Sequence, residues 1–222
     1  MNNIREVYGI GHKKANDLKR FYNIKTVRSL RLHVKKIPDI VTEAQRTGLK
    51  YHNRIVPAMS RREATKHVEF IKKHLPSSII AGSYRRELKK VNDIDVLITG
   101  DLKKTVNILR KKKYIIAELG MGETKFTGIA KLPRTNSYRR LDIIKTTRQE
   151  KPFALLYFTG DFVQNINMRK KAKRMKYSLS QYGLKNIKTG KFVTGIKNEK
   201  DIFTFLKMKY KEPNERSHEY KK

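Results

Sequence analysis

The run VNDIDVLITG (residues 91–100) limits the fold more than any other stretch of the chain. Its branched apolar residues read as a strand. Side chains alternate between the two faces of a strand, so Asp93 and Asp95, two residues apart, share one face. Ile94, Val96, Leu97 and Ile98 are apolar enough to be buried on the other face or further along. Neighbouring carboxylates repel, and an unliganded pair has at least one raised pKa. Divalent cations relieve the repulsion, and magnesium prefers oxygen ligands of this kind. A third acid, Asp142, lies in a second strand-like run, RRLDII. If the two strands are neighbours, three carboxylates converge on one site, as two-metal phosphoryl chemistry requires. Taken alone the Asp-x-Asp spacing is weak, because surface acid pairs and turn aspartates are common.

Upstream, Ala81-Gly82-Ser83-Tyr84-Arg85-Arg86 closes an apolar run with a Gly-Ser turn that leads into a helix. Backbone N–H groups and a serine hydroxyl at such a turn cradle phosphate, and the two arginines neutralise it. A phosphate cradle just ahead of paired metal ligands is what nucleotidyl transfer needs.

Charge points to the partner. Lysine and arginine number 53 against 20 acidic residues, a net charge of +33, and an excess of that size repels itself unless a polyanion screens it. Nucleic acid is the expected partner. A lysine-biased genome is the bland alternative, and anionic membrane a third, for which no basic amphipathic helix with an aromatic face speaks. No window reaches the about 18 consecutive apolar residues of a membrane span, and the first residues, MNNIREVYGIGHKK, hold no apolar leader segment. Cysteine is absent, which excludes disulfides and thiolate zinc sites. The six histidines show no metal-ligand spacing and read as surface or DNA-facing. The charge runs at Lys103-Lys104 and at residues 110–113 read as solvated helix faces, and Met168 and Met175 as packing residues.

The length of 222 residues allows two or three small subdomains. Residues up to about 58 read as helical, with apolar Ile10, Leu18, Phe21, Ile24, Val27 and Leu30 at near-helical spacing and Pro57 marking a boundary. A helix over 62–74 stops before Pro76. Strands are expected at 78–81, 94–99, 127–132 and 139–144, with a helix at 102–110 between the second and third. From about 149 onward helices mix with short strands, ending in a helix over 199–209, then Pro213 and a loose polar tail.

At these residues the chain resembles the family X DNA polymerases, those of the polymerase beta kind. The Gly82-Ser83 turn followed by Asp93-x-Asp95 marks the wider nucleotidyltransferase superfamily. GETKF (122–126), RRLDI (139–143), LYFTG (156–160), NMR (167–169), EKDIF (199–203) and KYKEP (209–213) are more specific, and they occur in family order at near-family spacing. The resemblance implies an α+β fold: a nucleotidyltransferase palm with a mixed sheet (59–148), preceded by a helix-hairpin-helix thumb (1–58) and followed by a small α/β nucleotide-selecting subdomain (149–222). It implies template-directed DNA synthesis from dNTPs with release of pyrophosphate, in gap-filling or base excision repair.

The same resemblance assigns residues. Asp93 and Asp95 would bind two magnesium ions, for which manganese can substitute. Asp142 would bind the catalytic one and help take the primer-terminus proton. Gly82, Ser83, Arg86 and Arg62 would hold the triphosphate, though spacing around Arg62 differs from the family's. Tyr157, Phe158, Thr159 and Gly160 would form a sugar pocket that excludes ribose. Asn165 would reach the minor-groove edge of the incoming base, Arg169 the template, Arg140 the primer end, and Lys125 the DNA nearby. Tyr182 matches a family tyrosine near the nucleotide, but Gln181 stands where the family has an acid, which puts local fidelity control in question.

Val7-Tyr8-Gly9-Ile10-Gly11 is similar to the family's helix-hairpin-helix. Gly9 and Gly11 would let backbone N–H groups approach a DNA phosphate, and the carbonyls of Arg5, Val7 and Ile10 would hold a monovalent cation such as potassium or sodium. Eight residues precede Gly9, so the family's N-terminal lyase domain, and with it lyase activity, is expected to be missing from this chain. The implied partners are gapped or primer-template DNA and dNTPs, with no membrane, acting as a monomer. The expected location is intracellular: the nucleus, or cytoplasm and virion for a viral genome. Two rival readings stay open. One is a template-independent nucleotidyltransferase with the same carboxylates, and the other a non-catalytic DNA-binding protein, against which the presence of all three acids speaks.

Overall fold

The computed structural model describes residues 3–216. Its first helices are α1 (His12–Tyr22), α2 (Val27–Lys36) and α3 (Glu43–Ile55), with 3-10 turns at Ile4–Glu6 and Pro38–Ile40. Side-chain caps start two of them. Thr26 Oγ1 accepts from the Ser29 N–H at 3.1 Å, and Thr42 and Gln45 form a reciprocal capping box. Ile4, Val7, Ile10, Leu18, Ile24, Leu30 and Leu49 pack into one cluster. Phe21, expected with them, is 67% exposed. The cause is the end of α1. Asn23 takes a left-handed conformation at φ 52°, and the Ile24 N–H bonds back to the Leu18 carbonyl at 3.0 Å. That reversal delivers Ile24 to the core and leaves Phe21 outside beside the Arg20 guanidinium.

The central part runs β1 (Met59–Ser60), α4 (Arg61–His74), β2 (Ile79–Ile80), α5 (Gly82–Arg85), β3 (Lys90–Val91), β4 (Asp93–Ile98), α6 (Leu102–Lys111), β5 (Ile115–Met121), β6 (Lys125–Lys131) and β7 (Tyr138–Lys145). Ser60 and Asp101 cap the two long helices, which match the expected 62–74 and 102–110 to within a residue. Five strands form a mixed sheet in the order β2-β4-β7-β6-β5, with β4 and β7 parallel and the other pairs antiparallel. On one face Ile94, Val96, Phe126, Leu141 and Ile143 pack against Ala64 and Ile71 of α4 and against Val106 and Leu109 of α6. Each large aliphatic side chain buried there contributes about 1.5–3 kcal/mol of transfer free energy. The other face carries the aspartates. Leu97 and Ile144 flank them at one end of the strands, and Ile129 at the other.

Two features of this part of the chain escape the sequence reading. β5 carries glutamate and glycine, and its pairing with β6 shifts register twice, so it shows no clean alternation. β1 and β3 are two-residue strands paired only with each other. Beneath the sheet His67, fully buried, joins Tyr114 and Ser137 at 2.8 Å each.

The last part holds α7 (Lys151–Thr159), α8 (Phe162–Arg174), the hairpin β8 (Tyr177–Ser180) and β9 (Gly183–Asn186), and α9 (Glu199–Phe205). Phe153, Leu156, Met168, Leu184, Ile202 and Phe203 form its core, with Met175 packed against it. α9 stops four residues short of the expected 209. The chain beyond Pro213 is not loose where it is described. Pro213–Arg216 forms a 3-10 turn, and Arg216, wholly buried, donates to Glu199 Oε1 at 2.6 Å. The expected tail beyond residue 216 lies outside the described residues. No helix among the described residues is long and apolar enough to cross a membrane.

Candidate active site

The parallel pairing of β4 with β7 sets the site. Asp95 stands opposite Asp142 and Asp93 opposite Arg140, so alternation puts all four side chains on the face away from α4 and α6. Lys125 joins them from β6, whose Thr127 pairs with Asp142. Three acids are thus interleaved with two cations. Lys125 Nζ donates to Asp142 Oδ2 at 2.9 Å, and Arg140 donates to Asp93 Oδ2. Among the described residues no three His, Cys, Asp or Glu side chains are drawn close enough to hold a metal ion.

What is left over is informative. Asp142 is 7% exposed, and its Oδ1 is buried with no hydrogen-bond partner. Burial and then the charge of Asp142 push the Asp95 carboxyl up to about 7, against the pull of Lys125 and Arg86. A close pair of hard oxygen donors with an orphaned lone pair and unrelieved repulsion suits a divalent cation such as magnesium.

Gly82 abuts this pair. Its φ is +62°, and a β-carbon there would collide with the Asp95 carboxylate. The Ala81 N–H donates to the Asp95 carbonyl at 2.9 Å, which ties the turn to β4. In that turn the Ser83 hydroxyl is buried without a partner, as is Arg86 Nε. Arg86 Nη1 donates to the Thr159 carbonyl at 2.5 Å, and burial lowers the pKa of this arginine while Asp161 and Asp95 raise it. Arg85, the other arginine of the expected cradle, turns away. It donates to Thr159 Oγ1 at 2.7 Å and to both Glu199 oxygens at 3.1 and 2.6 Å. Arg62 is exposed on the first turn of α4. Its neighbour Arg61 donates to the Tyr84 carbonyl at 2.9 Å and lies over the Tyr84 ring.

Thr159 is fully buried, Gly160 has φ +73°, and a cis peptide joins Gly160 to Asp161. Tyr157 and Phe158 meet edge to face at 5.1 Å. Asn165 on α8 donates to the Tyr157 carbonyl at 2.8 Å, and Arg169 is exposed one turn further on. Phe158, Lys125, Gln181 and Tyr182 line a cleft of about 130 Å³.

In the N-terminal hairpin Gly9 has φ +80°, and its carbonyl accepts from Gln45 Nε2 at 2.7 Å. The Val7 carbonyl accepts from the Ile10 N–H at 3.0 Å, the Gly11 carbonyl accepts from the Ala15 N–H at 2.9 Å, and Arg5 lies against the His12 ring. A β-carbon at Gly48 would stand 2.8 Å from Tyr8 Cβ, so α3 rests directly on the hairpin. Sequence reasoning passes over Gln45, Gly48, Glu199 and Arg216. Of these only Glu199 carries a signal, its place in the EKDIF motif.

Residues 58–148 match the family model for the DNA polymerase beta palm, and residues 154–217 the model for the DNA polymerase beta thumb. In that naming the thumb is the C-terminal part, not the N-terminal hairpin. The chain is similar to a repair DNA polymerase X of African swine fever virus, 33% identical over 168 residues that span 73% of this chain and 95% of the viral protein. It is also similar to rat DNA polymerase lambda, 31% identical over 205 residues, covering 79% of this chain but 36% of the rat protein's length. The fold superposes on polymerase beta of Leishmania infantum in a ternary gap complex, with TM-score 0.88 and 25% identity over 97% of this chain and 89% of that one.

Proposed function

Given that the chain belongs to the family X DNA polymerases, we propose that it is a template-directed DNA polymerase that fills gaps during repair. A primer 3′-hydroxyl attacks the α-phosphate of a dNTP, and pyrophosphate leaves. The observation that carries this reading is the Asp95–Asp142 pair, in register on adjacent parallel strands with one buried oxygen unpartnered.

Asp93, Asp95 and Asp142 would hold two divalent ions, magnesium or manganese. Bound there, such ions supply Lewis acidity at the phosphate oxygens. Asp142 takes the proton of the primer 3′-hydroxyl. Lys125 and Arg140 exchange their aspartate partners for DNA, Arg140 at the primer end. The unpartnered Ser83 hydroxyl, the Gly82 backbone and Arg86 receive the triphosphate, with Arg62 reaching in from α4. Tyr157 to Gly160 bound the sugar, and the backbone there excludes a 2′-hydroxyl. Asn165 gives up the Tyr157 carbonyl for the minor-groove edge of the incoming base, while Arg169 touches the template.

Gly9 and Gly11 bind a duplex phosphate, and the carbonyls of Arg5, Val7 and Ile10 bind potassium or sodium. The division at about 58 and 149 follows the three main apolar clusters. The protein acts as a monomer inside the cell, wherever its genome is repaired.

Extension of a primer across a short gap, with dNTPs and rNTPs compared, tests the reading. Templated addition of dNTPs alone is expected, and Asp142→Ala should lower the rate by at least about a hundredfold while DNA binding stays near wild type. Untemplated addition would favour a transferase, and near wild-type extension by the Asp142 variant would overturn the site.

A further inference from the structure

A larger concavity than the clefts at the active site lies on α8. It encloses about 510 Å³ between that helix and the β8–β9 hairpin. One wall is a helical stripe of Ile166, Arg169, Lys170 and Lys173, spaced i, i+3, i+4 and i+7. The other presents Ile187, 55% exposed, and the half-buried Tyr177, whose ring also packs edge to face on Phe205. No carboxylate lines the groove, and among the described residues Lys170 and Lys173 take part in no ion pair. Arg169 and Leu179 also line the small cleft beside Tyr157 and Asn165, so the groove opens from the place where the incoming base would be read.

We propose that this groove carries the single-stranded template on the 5′ side of the coding base. The inference rests on the polymerase reading above and adds a path for the strand. Duplex DNA hides its base faces in the stack and offers phosphates and base edges, with no π-face for an apolar wall to meet. A single strand offers both phosphates and unstacked base faces, and binding it takes cations along one lip with aromatic or apolar side chains along the other. The groove has that division: lysines and an arginine on α8, and Tyr177 and Ile187 across from them. A genome-wide lysine bias would scatter charge over the surface without pairing it with an exposed apolar wall.

Fluorescence anisotropy and single-nucleotide extension on primer-templates with short (about one nucleotide) or long (about ten nucleotide) 5′ template overhangs decide the matter. The wild type should bind the long overhang about tenfold more tightly. The double variant Lys170→Gln/Lys173→Gln, and separately Ile187→Ser, should abolish that gain while affinity and extension on the short overhang stay unchanged. All three side chains sit on the surface of the groove, away from the core of this subdomain. Overhang-independent binding by the wild type overturns the proposal, as does equal weakening of both substrates, which would mean generic phosphate contact. Loss of extension on both overhangs with overhang-dependent binding intact would sink the polymerase reading and leave the groove standing.

Discussion

Gly82 and Asp95 are so close that no side chain fits between them. The turn bends at φ +62°, and any β-carbon on Gly82 would enter the space of the Asp95 carboxylate. The glycine is required twice over, once by its backbone angle and once by its neighbour. Left-handed backbone alone costs an alanine about 1–2 kcal/mol. Relief of the clash must move Asp95 or the phosphate-binding turn. Gly82→Ala should therefore lower primer extension by about a hundredfold, as small displacements of reacting groups do, with DNA affinity nearly intact. Gap-filling kinetics beside anisotropy would show it, and a fully active variant would mean that the turn is free to shift.

Glu199 lies between two guanidiniums, Arg85 at 2.6 Å and Arg216 at 2.6 Å, and Arg216 has no exposed surface at all. Removing the carboxylate strands a buried cation, which costs about 3–5 kcal/mol. Glu199→Ala should lose about that much in urea unfolding. Replacing Glu199 and Arg216 together by methionine should recover most of the loss. If the single and double variants were equally unstable, the charge balance would not be the cause.

His67 makes stability depend on pH. The Ser137 hydroxyl donates to Glu63, so it accepts from His67 Nε2–H, and Nδ1 accepts from the Tyr114 hydroxyl. That is a satisfied neutral ring. Burial, and then Arg139, lower its pKa from 6.5 to about 4, while Glu63 opposes them. The folded pKa lies below the unfolded one, so the unfolded chain binds the extra proton between those values. Stability is full above about pH 6.5 and falls as pH drops toward 4, by about 3 kcal/mol in all. The His52 pKa is also lowered, by burial first, and adds in the same direction. Denaturant unfolding at pH 7 and pH 5 should differ less in His67→Asn than in the wild type. An unchanged difference would assign the slope elsewhere.

Asn165 spends its amide on the Tyr157 carbonyl at 2.8 Å. Once a base pair forms beside α8, that amide is to serve the incoming nucleotide. Asn165→Ala should weaken dNTP binding by about 1–3 kcal/mol, the cost of leaving a buried polar partner unmet, and DNA binding much less. Equal losses for both ligands would mark the residue as a support for the end of α7.

The strands that build the site are legible in the sequence because β4, β6 and β7 each carry apolar or branched residues at strand spacing between turns. The two-residue spacing of Asp93 and Asp95 is enough to put both on one face. What stays illegible depends on partners remote in sequence. Lys125 and Arg140 cover the outer acids because the β6–β7–β4 ladder sets them alongside, and no local pattern announces that pairing. Arg216 reads as part of a polar tail until Glu199, in another element, takes it inside. Phe21 departs from its expected place because an asparagine in left-handed conformation, not helical periodicity, decides which side chain enters the core.

The parallel ladder between β4 and β7 has one more consequence. Asp95 and Asp142 are neighbours because their backbones are hydrogen-bonded in a fixed phase, and side-chain reach hardly enters. Sliding β7 by one residue would send Asp142 into the oily layer under α6 and bring Leu141 to the reaction. The loops that join the strands are under no such constraint. Loops there could lengthen or shorten over generations without disturbing the chemistry, while a single deletion inside β7 would silence the enzyme even with all three acids still present.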